Sequence, residues 1–255
     1  MIRLMIASVV LATSLAQAQD DWAQIGRFAD ENAALGPPAR GEDRVVFMGD
    51  SITEGWSRAV PDFFQSRPYV NRGISGQTTP QMLLRFRSDV VALEPAAVVI
   101  LAGTNDIAGN TGPMTNEMIE DNLASMAEIA AENDIRVILA SILPTDGYPW
   151  APDVEPRFRV LAINRWIEEY AGRNDHVYLD YYGAMVDDQG AMDERYTYDG
   201  VHANEAGYEV MQGLVEAAID EALDRPRARP GTLTFRPVSG CSRTSSQRSN
   251  PRCQE

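Results

Sequence analysis

Five short apolar runs rich in β-branched residues punctuate this chain and leave it few ways to fold. They are Val45-Val46-Phe47, Tyr69-Val70, Ala97-Val98-Val99-Ile100-Leu101, Ile135-Arg136-Val137-Ile138-Leu139 and Val177-Tyr178-Leu179. Strand-length runs that stay apolar, rather than alternating with polar residues, suit a sheet covered on both faces. Between them apolar residues recur three and four apart. The pattern is clearest over 114–133, with Met118, Ile119, Leu123, Met126, Ile129 and Ala130, and it predicts further helices over 79–91, 155–171 and 204–223. A helix is also expected over 21–35, anchored by Trp22, Ile25, Phe28 and Leu35 and ended by Gly36-Pro37-Pro38. Five such alternations imply an α/β fold: right-handed crossovers and a parallel sheet of about five strands with helices on both faces.

In a parallel sheet the loops that follow the strands open on one face, so residues distant in sequence converge there. After the first strand stands Gly49-Asp50-Ser51-Ile52-Thr53. The second is followed by a loop from Asn71 to Thr79 that carries Gly73-Ile74-Ser75-Gly76, the third by Gly103-Thr104-Asn105-Asp106, and the fifth by Asp199-Gly200-Val201-His202. Ser51 is a candidate nucleophile. A serine needs a base, and the base needs an acceptor on its far nitrogen. Of the two histidines, His176 opens the fifth strand, at the opposite edge of the sheet, and reads as structural. His202 follows a polar loop, with Asp199 three residues upstream where a tight turn brings the carboxylate against Nδ1. The backbone N–H groups of Ser51 and Gly76 and the side-chain amide of Asn105 form the natural oxyanion donors. Asp50 and Val201, neighbours of the triad, and Tyr148 and Trp150, in the loop after the fourth strand, are the candidate substrate-contacting residues.

Other hydrolase designs fit less well. The elbow G-x-S-x-G needs glycine at position 53, where Thr53 stands. Two distant histidines make a poor metal set, and neither G-x-G-x-x-G nor a P-loop occurs, so no metal and no cofactor is expected. The four loop blocks together resemble those of the SGNH (GDSL-type) serine hydrolases over about residues 44–220. Gly103-Thr104-Asn105-Asp106 is similar to the branch that contains the platelet-activating-factor acetylhydrolase catalytic subunits. The resemblance implies a flavodoxin-like three-layer α/β/α fold. It also implies Ser51 as nucleophile, His202 as base, Asp199 as its orienting acid, and Ser51, Gly76 and Asn105 as the oxyanion hole. Ile52-Thr53 stands where the family's eponymous motif has Leu, and the basic tail has no counterpart in the family pattern.

Arg3, the apolar run Leu4–Leu15 and Ala16-Gln17-Ala18 read as a secretory signal cleaved after Ala18, which predicts a secreted or periplasmic protein. The remainder is the length of one domain, ending near residue 224. The net charge of −15 disfavours nucleic acid as a partner, and no apolar run is long enough for stable membrane insertion. All 22 cations are arginine, so a Schiff-base or P-loop lysine is excluded. Residues 225–255 carry seven of those arginines against one acid, and they read as a poorly ordered tail in which Cys241 and Cys253 are placed to pair. The expected partner is a small acyl ester or an acetylated carbohydrate; the oligomeric state is not legible. Three activities stay open: a short-chain, chiefly acetyl, esterase; a lysophospholipase or thioesterase for longer chains; and a non-catalytic carbohydrate-binding module. Since only a neutral imidazole accepts a proton, hydrolysis is expected to fall as the medium acidifies.

Overall fold

The computed structural model describes residues 21–225. The expected signal at 1–18, almost all of the arginine-rich tail and both cysteines lie outside the described residues. The strands are β1 (Val45–Gly49), β2 (Tyr69–Gly73), β3 (Ala97–Leu101), β4 (Arg136–Ala140) and β5 (Val177–Leu179), in one sheet of order β2-β1-β3-β4-β5. Every pairing is parallel. Strand side chains alternate between faces, and because these strands are apolar throughout, each face gains its own core. Val46, Met48, Val98, Ile100, Val137 and Leu139 point to one side. Val45, Phe47, Ala97, Val99, Ile138 and Ala140 point to the other.

Helices cover both sides. The first core is closed by α4 (Thr79–Asp89), the short α5 (Thr104–Ile107), α6 (Asn116–Glu132) and α7 (Arg157–Arg173). The second is closed by α2 (Ser51–Ala59), α3 (Pro61–Gln65), α8 (Tyr181–Met185) and α9 (Glu205–Asp224). This is the expected three-layer α/β/α sandwich. On the second face Trp56 stacks on Phe63 at 4.8 Å, with Phe47 edge-on to both. Offset and edge-on aromatic pairs of this kind contribute about 0.5–1.5 kcal/mol each beyond their burial. None of the described helices is long and apolar enough to cross a membrane.

Two expectations about local structure are corrected. The stretch 21–35 is helical only over α1 (Ala29–Leu35); residues before it form turns. The Asp21 carboxylate takes the N–H groups of Ile25 and Gly26, and Gln24 adopts a φ of +53°. A side chain that satisfies the backbone locally competes with the helix. The loop expected from Asn71 begins later, because Asn71–Gly73 completes β2 in register with Phe47–Gly49.

The chain leaves β1 to build β2 on one side and returns to place β3 on the other. The switch point is therefore the crevice between the carboxyl ends of β1 and β3, where open α/β sheets hold their ligands.

Candidate active site

Gly49 ends β1 and Ser51 starts α2, with Asp50 between them as the cap. The Asp50 Oδ1 accepts the Ile52 N–H at 2.9 Å and its Oδ2 accepts from Asn105 Nδ2 at 3.2 Å. Beneath this turn the fully buried Arg85 donates to Gly49 O, to Gln77 Oε1 and to Asp89. Gly73 of β2 packs directly against the first turn of α2. A Cβ there would stand 2.2 Å from Glu54 N and 2.8 Å from Asp50 O. The turn bearing Ser51 is thus gripped from below and from one side.

The Ser51 hydroxyl lies 2.9 Å from His202 Nε2, and His202 Nδ1 lies 2.7 Å from Asp199 Oδ2. Asp199 Oδ1 also accepts the backbone N–H groups of Val201 and His202. This network fixes the tautomer: Nδ1–H donates to Asp199, and Nε2 is left to accept from the serine. Burial pushes the Asp199 carboxyl up, but the hydrogen bonds from His202 and Val201 outweigh it and hold the group below the usual aspartate range. Asp199 therefore stays anionic beside the imidazole.

Gly76 sits at φ +77°, a left-handed conformation that favours glycine, and its N–H finds no acceptor among the described residues; neither does the Ser51 N–H. Asn105 is buried, and in this state its amide donates to Asp50 Oδ2 and, at 3.1 Å, to Gln77 O. A residue not anticipated from the sequence joins these donors: Asn110 Nδ2 donates to Gly76 O at 3.2 Å and to Asn105 Oδ1 at 2.8 Å. Its own Oδ1 accepts from Trp150 Nε1 at 3.1 Å.

Of the four side chains expected to meet substrate, three are corrected. Asp50 is 1% exposed and spent on capping; burial pushes its carboxyl up to about 6. Tyr148 is 2% exposed, because the turn from Tyr148 to Ala151 sends it inward and Trp150 outward. Val201 is also buried, in the first core, where it anchors the loop that carries His202. Trp150 alone reaches the surface, 42% exposed, with its ring 5.9 Å from the imidazole and backed by Tyr148 at 5.3 Å. On the other side of His202 the ring of Tyr198 stacks nearly parallel at 5.7 Å. No periodicity marks Tyr198 in sequence; its place in the polar loop ahead of the histidine was the available signal. A cleft of about 540 Å³ runs from Ser51 past Ser75, Tyr198, His202 and Tyr208. His176 stands just before β5, at the far end of the sheet from Ser51, and burial drives its imidazole down to about 4.

Residues 47–210 match the GDSL-like Lipase/Acylhydrolase family. A GDSL-like lipase of Bacteroides thetaiotaomicron VPI-5482 shares 48% identity with this chain. The match spans 78% of this chain and 98% of the other, with a TM-score of 0.77. Esterase TesA of Pseudomonas aeruginosa is 28% identical over 171 residues, which is 62% of this chain and 78% of that protein. The lipoprotein YqeF of Bacillus subtilis (strain 168) is 31% identical over 126 residues, 43% of this chain; the alignment spans about half of YqeF, 52% of its length.

Proposed function

Since this chain belongs to the GDSL-like lipase/acylhydrolase family and so is a hydrolase of ester bonds, we propose that it cleaves short-chain acyl esters through an acyl-enzyme on Ser51. The observation that carries the reading is the continuous relay from Asp199 through His202 to Ser51, with links of 2.7 and 2.9 Å. Membership of a hydrolase family sets aside the non-catalytic binding module.

As Ser51 Oγ bonds to the ester carbonyl carbon, its proton passes to His202 Nε2 and the carbonyl π pair moves to oxygen. Asp199 stabilises the imidazolium without taking its proton. The oxyanion meets the N–H groups of Ser51 and Gly76. It also draws on Asn105, whose present bonds of 3.2 and 3.1 Å are long enough to be shared with a stronger, charged acceptor. Collapse re-forms the carbonyl and breaks the bond to the leaving oxygen, which takes the proton from Nε2. Water, deprotonated by the same nitrogen, then releases the acid and restores Ser51. Each oxyanion donor contributes about 2.7–4 kcal/mol to such a transition state.

Asp50, Asn105 and Tyr148 are all buried rather than open to a long acyl chain, which favours short acyl groups. The exposed rings of Trp150 and Tyr198 beside the imidazole suit a sugar alcohol. The leader-like sequence of residues 1–18 supports export. The test is a p-nitrophenyl ester series from acetate to decanoate on the wild type and Ser51→Ala. The expected result is a rate highest for acetate and falling with length, and at least a thousandfold loss in Ser51→Ala, about the cost of removing a triad member. Turnover retained in Ser51→Ala would refute the nucleophile; a rate that climbs toward decanoate would refute the short-chain preference.

A further inference from the structure

Building on that reading, we propose that the cleft beside His202 is the subsite for the leaving alcohol, and that Arg58 selects alcohols bearing an oxyanionic substituent, a carboxylate or a phosphate. The leaving oxygen takes its proton from His202 Nε2, so the alcohol half of the ester lies on the imidazole's side of Ser51. That side is the cleft of about 540 Å³, and Arg58 is the one permanently charged side chain lining it among the described residues.

The guanidinium is both free and aimed. A Glu–Arg pair four residues apart on a helix ordinarily closes an ion pair. Here Glu54 turns to the Ser75 N–H at 3.2 Å instead, and Arg58 enters no ion pair among the described residues. One Nη of Arg58 folds back to 4.0 Å from the point where a Cβ on Gly55 would stand. That same Cβ would approach the Tyr208 hydroxyl to 2.8 Å, so the missing side chain at 55 keeps the cleft floor open. The charge of Arg58 reaches the hydroxyls of Tyr198 and Tyr208, opposing the upward push that burial gives each. Tyr198, 70% exposed and stacked on the imidazole, walls the opposite side. In a chain of net charge −15, an arginine that shares the cleft with Ser51 and enters no ion pair among the described residues is the local exception that an anionic substrate requires.

The test compares kcat/KM of the full chain on 4-acetoxybenzoate, 4-acetoxyphenyl phosphate and the neutral 4-acetoxybenzamide. The ratio of anionic to neutral substrate is taken within each variant, so a general loss of activity cancels. Arg58→Gln is expected to lower the ratio about fivefold, the size of a solvated ion pair, through KM rather than kcat. Arg58→Glu should lower it further, Arg58→Lys should restore most of it, and added salt should flatten the differences. A fall for the carboxylate alone identifies an acid-bearing alcohol, and a fall for the phosphate alone a phosphorylated one. Ratios within roughly twofold of wild type for both anions in both the Gln and Glu variants overturn the proposal. That failure is distinct from one in the parent reading, which would appear as turnover retained by Ser51→Ala.

Discussion

Asn110→Ala should lower kcat by about 10- to 30-fold while leaving KM nearly unchanged. The exposed Asn110 side chain joins Gly76 O, Asn105 Oδ1 and Trp150 Nε1 by bonds of 3.2, 2.8 and 3.1 Å. Alanine removes all three and leaves the buried Asn105 oxygen without that partner. The lower bound is one neutral hydrogen bond, about 1 kcal/mol, or fivefold. The upper bound is complete loss of Asn105 as an oxyanion donor, about 2.7–4 kcal/mol, or 10²–10³-fold. Because Asn105 is still held by Asp50 and Gln77, the cost should fall between these limits, near 1.4–2 kcal/mol. The assay is steady-state hydrolysis of p-nitrophenyl acetate by Asn110→Ala, Asn105→Ala and the double variant. If Asn110 acts by positioning Asn105, the double variant stays within about twofold of Asn105→Ala, a coupling of about 1 kcal/mol or more. Effects that simply multiply would refute the reasoning, and so would a loss expressed entirely in KM.

Gly73→Ala should destabilise the protein by about 3 kcal/mol or more, since its Cβ would meet backbone atoms of α2 that no rotamer change can move; a melting temperature within about 2 °C of wild type would contradict this. Stability should also respond to pH in an unusual direction. Burial raises Asp50 and Asp106 from 3.8 to about 6, so between those values the folded state holds protons that the unfolded state has released. Their contribution therefore rises as pH falls through that window, by about 3 kcal/mol each. His176, lowered from 6.5 to about 4 by burial, opposes them by a similar amount. The net is a gain of about 1–1.5 kcal/mol between pH 7 and about 4.5, and His176→Gln should enlarge it. Thermal melts of that variant checking the trend should rise on acidification; a fall would count against the assignment.

The sheet was legible because a parallel sheet covered on both sides demands uninterrupted apolar strands, and β3 and β5 appear in the sequence with their observed bounds. The proposed grouping of Ser51, His202 and Asp199 was legible for a different reason: serine chemistry needs a base, and only two histidines exist, one of them at the wrong end of the sheet. What escaped depended on tertiary placement. Tyr148 and Trp150 stand two residues apart and are chemically alike, yet the turn between them sends one into the core and the other to the surface. Asn110, Arg58 and Tyr198 are exposed residues that carry no pattern of their own. Their significance arises only when Gly76, Ser51 and His202 arrive beside them. The helix expected from residue 21 failed because one aspartate offered its neighbours' N–H groups a nearer partner.

The loop that presents His202 is anchored to the first core by Val201, but most of its hydrogen bonds lie within the loop. Thr197 Oγ1 donates to His202 O and accepts from Gly200 N–H, while Asp199 holds the N–H groups of Val201 and His202 as well as the imidazole. The proposed acid and base are thus held against each other by bonds within six residues, whereas the link from His202 to Ser51 depends on how distant parts of the chain are assembled. Under heat or mild denaturant that link should open first, silencing the enzyme while the loop remains whole and making inactivation reversible by mere re-docking.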